Sequence, residues 1–231
     1  FLFARIFLEP VIGRAIDVEG AMSAMHEHGG HTHGGHEHGV ELFSRGVQAN
    51  IGMGFGVLVF GLAMGALLAV VFSVAYGRVG DHAARPLAAL LAGAMLLCVF
   101  VVLALKCPPN PPASSLEETI RQRTLLYLLL VVASVVLLVV AVVVGRRLTA
   151  RLGTWNATLA AASGYLVAIG AVVVAMPTID EAPKGFPADV LYDFRLYSLG
   201  AQVVVWVTVG LVFAEAMRRL LGTPTRSSIS A

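Results

Sequence analysis

Apolar residues in this chain come in long blocks, and polar ones are confined to the gaps between them. Uninterrupted apolar stretches occupy approximately residues 51–76, 87–105, 125–144, 159–176 and 196–213. A bilayer core about 30 Å thick takes roughly 20 apolar residues in an α-helix, and each block is near that length. One further stretch, Phe1-Leu2-Phe3-Ala4-Arg5-Ile6-Phe7-Leu8, is too short to cross. It reads as the tail of a helix whose beginning lies outside this numbering. A signal-peptide remnant is the weaker account, because no small-residue cleavage site follows. The expected fold is an all-α polytopic membrane protein: a bundle of five complete transmembrane helices plus the end of a truncated first one, six in the intact protein.

The gaps divide the chain further. Residues 1–8 are the end of the first transmembrane helix, which Glu9-Pro10 is expected to break, since proline lacks a backbone donor and restricts its predecessor. Residues 9–49 form a long polar connection, 50–217 the five-helix bundle and 218–231 a cytoplasmic tail. The connection containing Lys106-Cys107-Pro108-Pro109-Asn110-Pro111-Pro112 is too rich in proline for helix or sheet and should lie extended. The connection from Pro177 to Arg195 holds Pro183, Gly185 and Pro187 among four acids and reads as an ordered acidic turn.

Composition agrees with the pattern. The chain is 58% hydrophobic and only 13% charged, whereas soluble domains carry about 25% charged residues. A net charge of +2 is too small to point to nucleic acid, which leaves the lipid bilayer as the medium. Basic residues set the orientation. Arg78 and Arg85, then Arg146, Arg147 and Arg151, then Arg218, Arg219 and Arg226 fall on one side by strict alternation. Dense arginine clusters at helix ends mark the cytoplasmic face. Both termini are then cytoplasmic, and the 9–49 connection faces outward.

That connection holds the most pronounced chemistry in the chain. His26 to His38 reads His-Glu-His-Gly-Gly-His-Thr-His-Gly-Gly-His-Glu-His, and contains six of the seven histidines. Imidazole is a good ligand for divalent nickel, cobalt, zinc and copper. Glycine lets the backbone fold several chelate rings around an ion, and paired glycines at this period argue against packed helix or strand. His26, His28, His31, His33, His36 and His38 are therefore the candidate metal ligands, with Glu27 and Glu37 adding oxygen donors. Neutral imidazole is the ligand, so binding should weaken below about pH 6.5.

Within the spans, Gly52 and Gly56, Gly61 and Gly65, and Ala160, Gly164 and Ala168 place small residues four apart, which suits close helix packing. Polar residues in or near the membrane are Arg5, Gln48 and Asn50 at the outer mouth, Asn156 at an inner end, and Gln202 and Glu215 in the last helix. Glu215 precedes Arg218 and Arg219 by one turn and should pair with them, while Gln202 should bond a neighbouring helix. Cys98 reads as a small buried hydrophobe and Cys107 as a thiol at a helix end; two cysteines make no disulfide framework.

Three segments resemble one family. Pro108-Pro109-Asn110-Pro111-Pro112-Ala113, with Ile120, Arg123-Thr124 and Tyr127, is similar to a segment typical of the CbtA family of cobalt transporter subunits. Gly185-Phe186-Pro187-Ala188-Asp189-Val190-Leu191, with Phe194-Arg195-Leu196, Ser198-Leu199 and Gln202, resembles that family's last outer loop and helix. Phe3-Ala4-Arg5-Ile6-Phe7, with Glu9-Pro10, Ala15-Ile16 and Glu19, resembles the end of its first helix. The resemblance spans essentially the whole chain. It implies a bacterial inner-membrane subunit tied to cobalt uptake for cobalamin synthesis, working with a small single-span partner that also bears histidines.

The expected function is a non-enzymatic one: a subunit of an uptake system for a divalent transition metal, with the histidine repeat capturing the ion outside. Cobalt rests on the resemblance alone, because imidazole clusters hardly discriminate it from nickel or zinc. The alternative is a membrane-anchored metal-binding or accessory subunit without transport of its own. An intramembrane metal hydrolase is disfavoured, since it requires zinc fixed on rigid elements and a positioned base. No Gly-x-x-x-x-Gly-Lys-Ser/Thr phosphate loop is present, so a separate component or a gradient must supply energy.

Overall fold

The computed structural model describes residues 1–27, 44–80, 82–111, 120–177 and 185–221. Every regular element among them is helical. In chain order these are α1 (Glu9–Glu27), α2 (Arg45–Val47), α3 (Met53–Ala75), α4 (Ala84–Leu96), α5 (Val102–Lys106), α6 (Ile120–Ala175) and α7 (Ala188–Leu221). Three π-helical turns, Ala4–Leu8, Gln48–Gly52 and Leu97–Val101, connect some of them without interrupting the helix. Four runs are long and apolar enough to cross a membrane: Gln48–Ala75, Ala84–Lys106, Gln122–Ala175 and Ala188–Leu221. The last three blocks of the sequence thus appear as two helices rather than three.

The third of these runs is not one rod. At 54 residues it would extend about 80 Å, far beyond a bilayer core of about 30 Å. Gly153 breaks it with φ 74° and ψ 164°, a backbone conformation that side chains with a Cβ rarely adopt. The two legs, 120–152 and 154–175, then pack against each other. Leu130 of the first leg lies in one core with Tyr165 and Ile169 of the second, and a Cβ built on Gly145 would lie 2.9 Å from that of Ala161. Residues 145 and 161 could not meet on a straight helix, so α6 is a helical hairpin turned at Gly153.

Contacts divide the chain into two compact units. The first comprises Phe1–Arg5, Leu42–Leu96 and Gly200–Ala231, the second Ile6–Glu41 and Leu97–Leu199. In the first, α3 and α4 reverse through a short turn in which Gly77 takes φ 74°. Phe72, Leu87, Ala88 and Ala214 form one core there, and Leu68, Ala92, Met95 and Trp206 another. An edge-on contact between Phe72 and Phe213, with centroids 5.4 Å apart, joins α3 to α7. In the second unit, α5 and the α6 hairpin share the core around Leu103 and Leu130. Two of the π turns, Ala4–Leu8 and Leu97–Val101, contain the points where the chain passes from one unit to the other.

Inside that second core sits a small polar cluster. The Ser134 and Tyr165 hydroxyls lie 2.8 Å apart, with the Cys98 sulfur 3.9 Å from Tyr165 Oη. All three residues are buried, and each hydroxyl partly satisfies the other where water is scarce. Tyr165→Phe should cost about 1 kcal/mol, the scale of interhelical hydrogen bonds in membranes. Adding Ser134→Ala should change little more, which a double-mutant cycle in detergent unfolding would test.

Several expectations are corrected. Glu9-Pro10 does not break the first helix, which runs through the π turn Ala4–Leu8 into α1 and on to Glu27. A proline ring presses on the carbonyl four residues earlier, and the wider π turn just before Pro10 makes room for it. The last helix begins at Ala188, not near residue 196, so the acidic connection is shorter than expected. Gln202 does not bond a neighbour through its carbonyl: Oε1 is buried without a donor among the described residues. Glycines 56, 61 and 164 have nothing near their missing Cβ, so the small-residue spacing is not what packs those positions. The pairing of Glu215 is as expected: Arg218 donates to both its oxygens, at 2.8 and 2.6 Å, and Arg219 donates to Oε1 at 2.8 Å.

Candidate functional site

The polar groups that the sequence pointed to gather at one end of the second unit. Helix α1 lies along the start of α7 with Val11 and Ala15 buried against Val190, beside Phe186, Phe194 and Tyr197. Valine and alanine at positions 11 and 15 are one turn apart, and so form a stripe that the aromatic side chains cover. Phe7 stacks obliquely on Tyr197, with centroids 5.5 Å apart. Position 7 thus meets 197 while position 14 meets 193, so the two helices run antiparallel. Twelve residues of α1 follow Ala15, about 18 Å of helix at 1.5 Å per residue, and these extend past the first residue of α7.

Two polar contacts fix this end. Arg14 Nη2 donates to Asp193 Oδ2 at 2.7 Å across the α1–α7 seam. The pair is about half exposed on the arginine side, 46%, which keeps its contribution below about 1 kcal/mol. Deeper in, Arg195 Nη2 donates to Asn110 Oδ1 at 3.0 Å. That bond ties α7 to the proline-rich segment, where Pro111 is fully buried. Arg195 Nε is buried and has no acceptor among the described residues. The expected extended proline segment is indeed neither helix nor strand over 107–111.

Arg195→Ala should therefore loosen the proline segment. Cys107, partly buried at the end of α5, reports on it: its alkylation by a maleimide should accelerate several-fold. Cys98, buried in the core, should stay unreactive, and Arg195→Lys should give an intermediate rate.

A third polar contact lies in the first unit. Arg5 Nε donates to Asn50 Oδ1 at 3.0 Å, and Asn50 Nδ2 donates to the Gly46 carbonyl at 2.8 Å. Two of the three residues assigned to the mouth are thereby joined, across two π-helical turns, a geometry often found at functional sites. The hollow of this unit bounded by Ala92, Gly93, Trp206 and Gly210 is apolar and offers a cation no ligand.

The histidine ligands are placed only in part. His26 stands in the last turn of α1, while His28, His31, His33, His36 and His38 lie outside the described residues. Among the described residues no three His, Cys, Asp or Glu side chains cluster in a way that could hold a metal ion. Reading the sequence named Arg14, Asn110, Asp193 and Arg195 but not their pairing. Their partners are 179 and 85 residues distant, and no local signal encodes such contacts.

Residues 1–218 match the family described as "Probable cobalt transporter subunit (CbtA)". The chain belongs to the CbtA family. No curated protein and no solved structure matches it. The residues of the Arg5–Asn50, Arg14–Asp193 and Asn110–Arg195 contacts all fall within the bounds of that match. The family description, a probable cobalt transporter subunit, and the four long apolar helices both fit a membrane protein.

Proposed function

We propose that this CbtA protein is the membrane subunit of a cobalt uptake system in which His26, His28, His31, His33, His36 and His38 capture the ion outside the bilayer. The observation that carries the reading is the match over residues 1–218. The geometry of α1 adds to it: the helix that leads into the repeat is held to α7 by Arg14–Asp193 and the Val11–Ala15 stripe. Histidines at its far end would meet the ion before the bundle does. Cobalt is the cargo, with nickel or zinc as competitors that imidazole tolerates.

The chain crosses the membrane five times in this reading: α3, the Ala84–Lys106 helix, each leg of α6, and α7. The arginine clusters face the cytoplasm of a bacterial inner membrane, and the repeat faces outward. A small single-span subunit bearing its own histidines and a separate energising component complete the system. Cobalamin synthesis is the destination of the metal.

Cobalt-57 accumulation in cells lacking the gene, with and without the restored protein, tests the proposal. Restored uptake at limiting cobalt supports it. A deletion strain that accumulates cobalt normally sinks it, and leaves a membrane-anchored accessory subunit as the account.

A further inference from the structure

The tip of the α6 hairpin combines charge and exposure in a way the metal chemistry does not use. Arg146, Arg147 and Arg151 are exposed on the first leg just before the turn at Gly153. Trp155, directly after the turn, is 75% exposed, and Leu152 is exposed beside it. From residue 119 to residue 179 the sequence has no aspartate or glutamate. Among the described residues Arg147 and Arg151 have no carboxylate partner. They stand four apart on one helix, where like charges repel. The partial negative charge at the end of the first leg offsets some of this, but it gives no reason for an exposed indole. An indole at such a position sits well at the level of lipid headgroups. The second leg also begins at this tip, and the amide donors of a helix N-terminus favour an anion.

We propose that this tip is a binding surface for anionic phospholipid headgroups. Guanidinium groups grip phosphate oxygens through paired N–H donors. Arg147 and Arg151 share a headgroup that relieves their mutual repulsion, Arg146 adds to the field, and Trp155 lies among the neighbouring glycerol backbones. The inference rests on the helices lying in a bilayer and not on metal capture, so it stands or falls separately from the proposed function.

The chain carries its own reporter, because its only tryptophans are Trp155 and Trp206, and Trp206 is buried in the first unit. The full protein would be placed in nanodiscs containing brominated phosphatidylglycerol or brominated phosphatidylcholine at equal fractions. Subtracting the emission of Trp155→Phe isolates the Trp155 signal. Brominated phosphatidylglycerol should quench Trp155 more strongly, and the preference should fall about fivefold for each arginine replaced by glutamine. The Arg146→Gln/Arg147→Gln/Arg151→Gln protein should show near parity. Raising the salt concentration should erase the preference in the unaltered protein, a readout that needs no variant to fold. Equal quenching by both lipids at low salt overturns the proposal, as does a preference that survives the triple substitution or high salt.

Discussion

Deleting residues 26–38 is expected to abolish tight cobalt binding by the purified CbtA protein and to lower cobalt accumulation in cells at limiting metal. The reasoning is chemical. Six imidazoles in three His-X-His units can bind several ions or exchange one among overlapping sites, and each Nε2 or Nδ1 gives a bond that breaks readily. Linked binding units raise avidity by about 100-fold or more over one unit, so accumulation at limiting cobalt should fall by roughly tenfold. With cobalt in excess the deletion should matter little, because a capture device raises local concentration and is dispensable when the bulk supplies it. Replacing the six histidines with glutamine keeps the length and polarity of the connection and should reproduce the deletion. Binding lost with accumulation unchanged at every cobalt level would make the repeat a metal buffer. Accumulation lost equally at low and high cobalt would make it part of the path itself.

Gly145→Leu is expected to destabilise the protein more than any surface substitution. A Cβ at position 145 would stand 2.9 Å from the Ala161 Cβ and 3.7 Å from the Ala157 carbonyl oxygen. Neither atom belongs to a flexible side-chain end, so the hairpin legs must separate. Overpacking of this kind costs about 1–3 kcal/mol. Gly145→Ala should cost less, and Gly164→Ala, where nothing stands within 4 Å, should be neutral or slightly stabilising by helix propensity. Apparent melting temperatures in one detergent would rank the three variants. A Gly145→Leu protein as stable as Gly164→Ala would mean that the legs do not approach as closely as described.

How much of this was legible in the sequence depends on the physics behind each feature. Apolar blocks announce helices because lipid tolerates no unpaired backbone, so α3, the Ala84–Lys106 helix and α7 are plain from composition. The hairpin was legible as two separate blocks, 125–144 and 159–176, because Arg146, Arg147 and Arg151 interrupt the apolar run. Its near-continuous helix was not, since only the backbone angle of Gly153 marks the reversal. Helix ends were the weakest part. Pro10 and Pro187 look alike as breakers, yet the first lies inside a helix and the second just before one. The Glu215 cluster was readable because its partners are three and four residues away. Arg14–Asp193 and Asn110–Arg195 join residues far apart in the chain, and only the fold brings them together. The histidine repeat was readable as chemistry from its composition alone.

The π turns carry one more consequence, and it concerns the length of the chain rather than the identity of any residue. A π turn holds one residue more than an α turn. Five π-helical residues turn the chain about as far as four α-helical ones, so removing a single residue from Leu97–Val101 would let that turn relax to ordinary α-helix and leave the helix faces before and after it nearly unrotated. Ala88, Ala92 and Met95 would keep their neighbours Phe72, Leu68 and Trp206, and Val102 and Leu103 would keep Leu130 and Tyr165. Substitutions at these five positions can be mild, since only Cys98 among them is buried. Removing a residue from α4 cannot be mild, because ordinary helix has no spare residue and every later side chain of α4 would turn by about 100°.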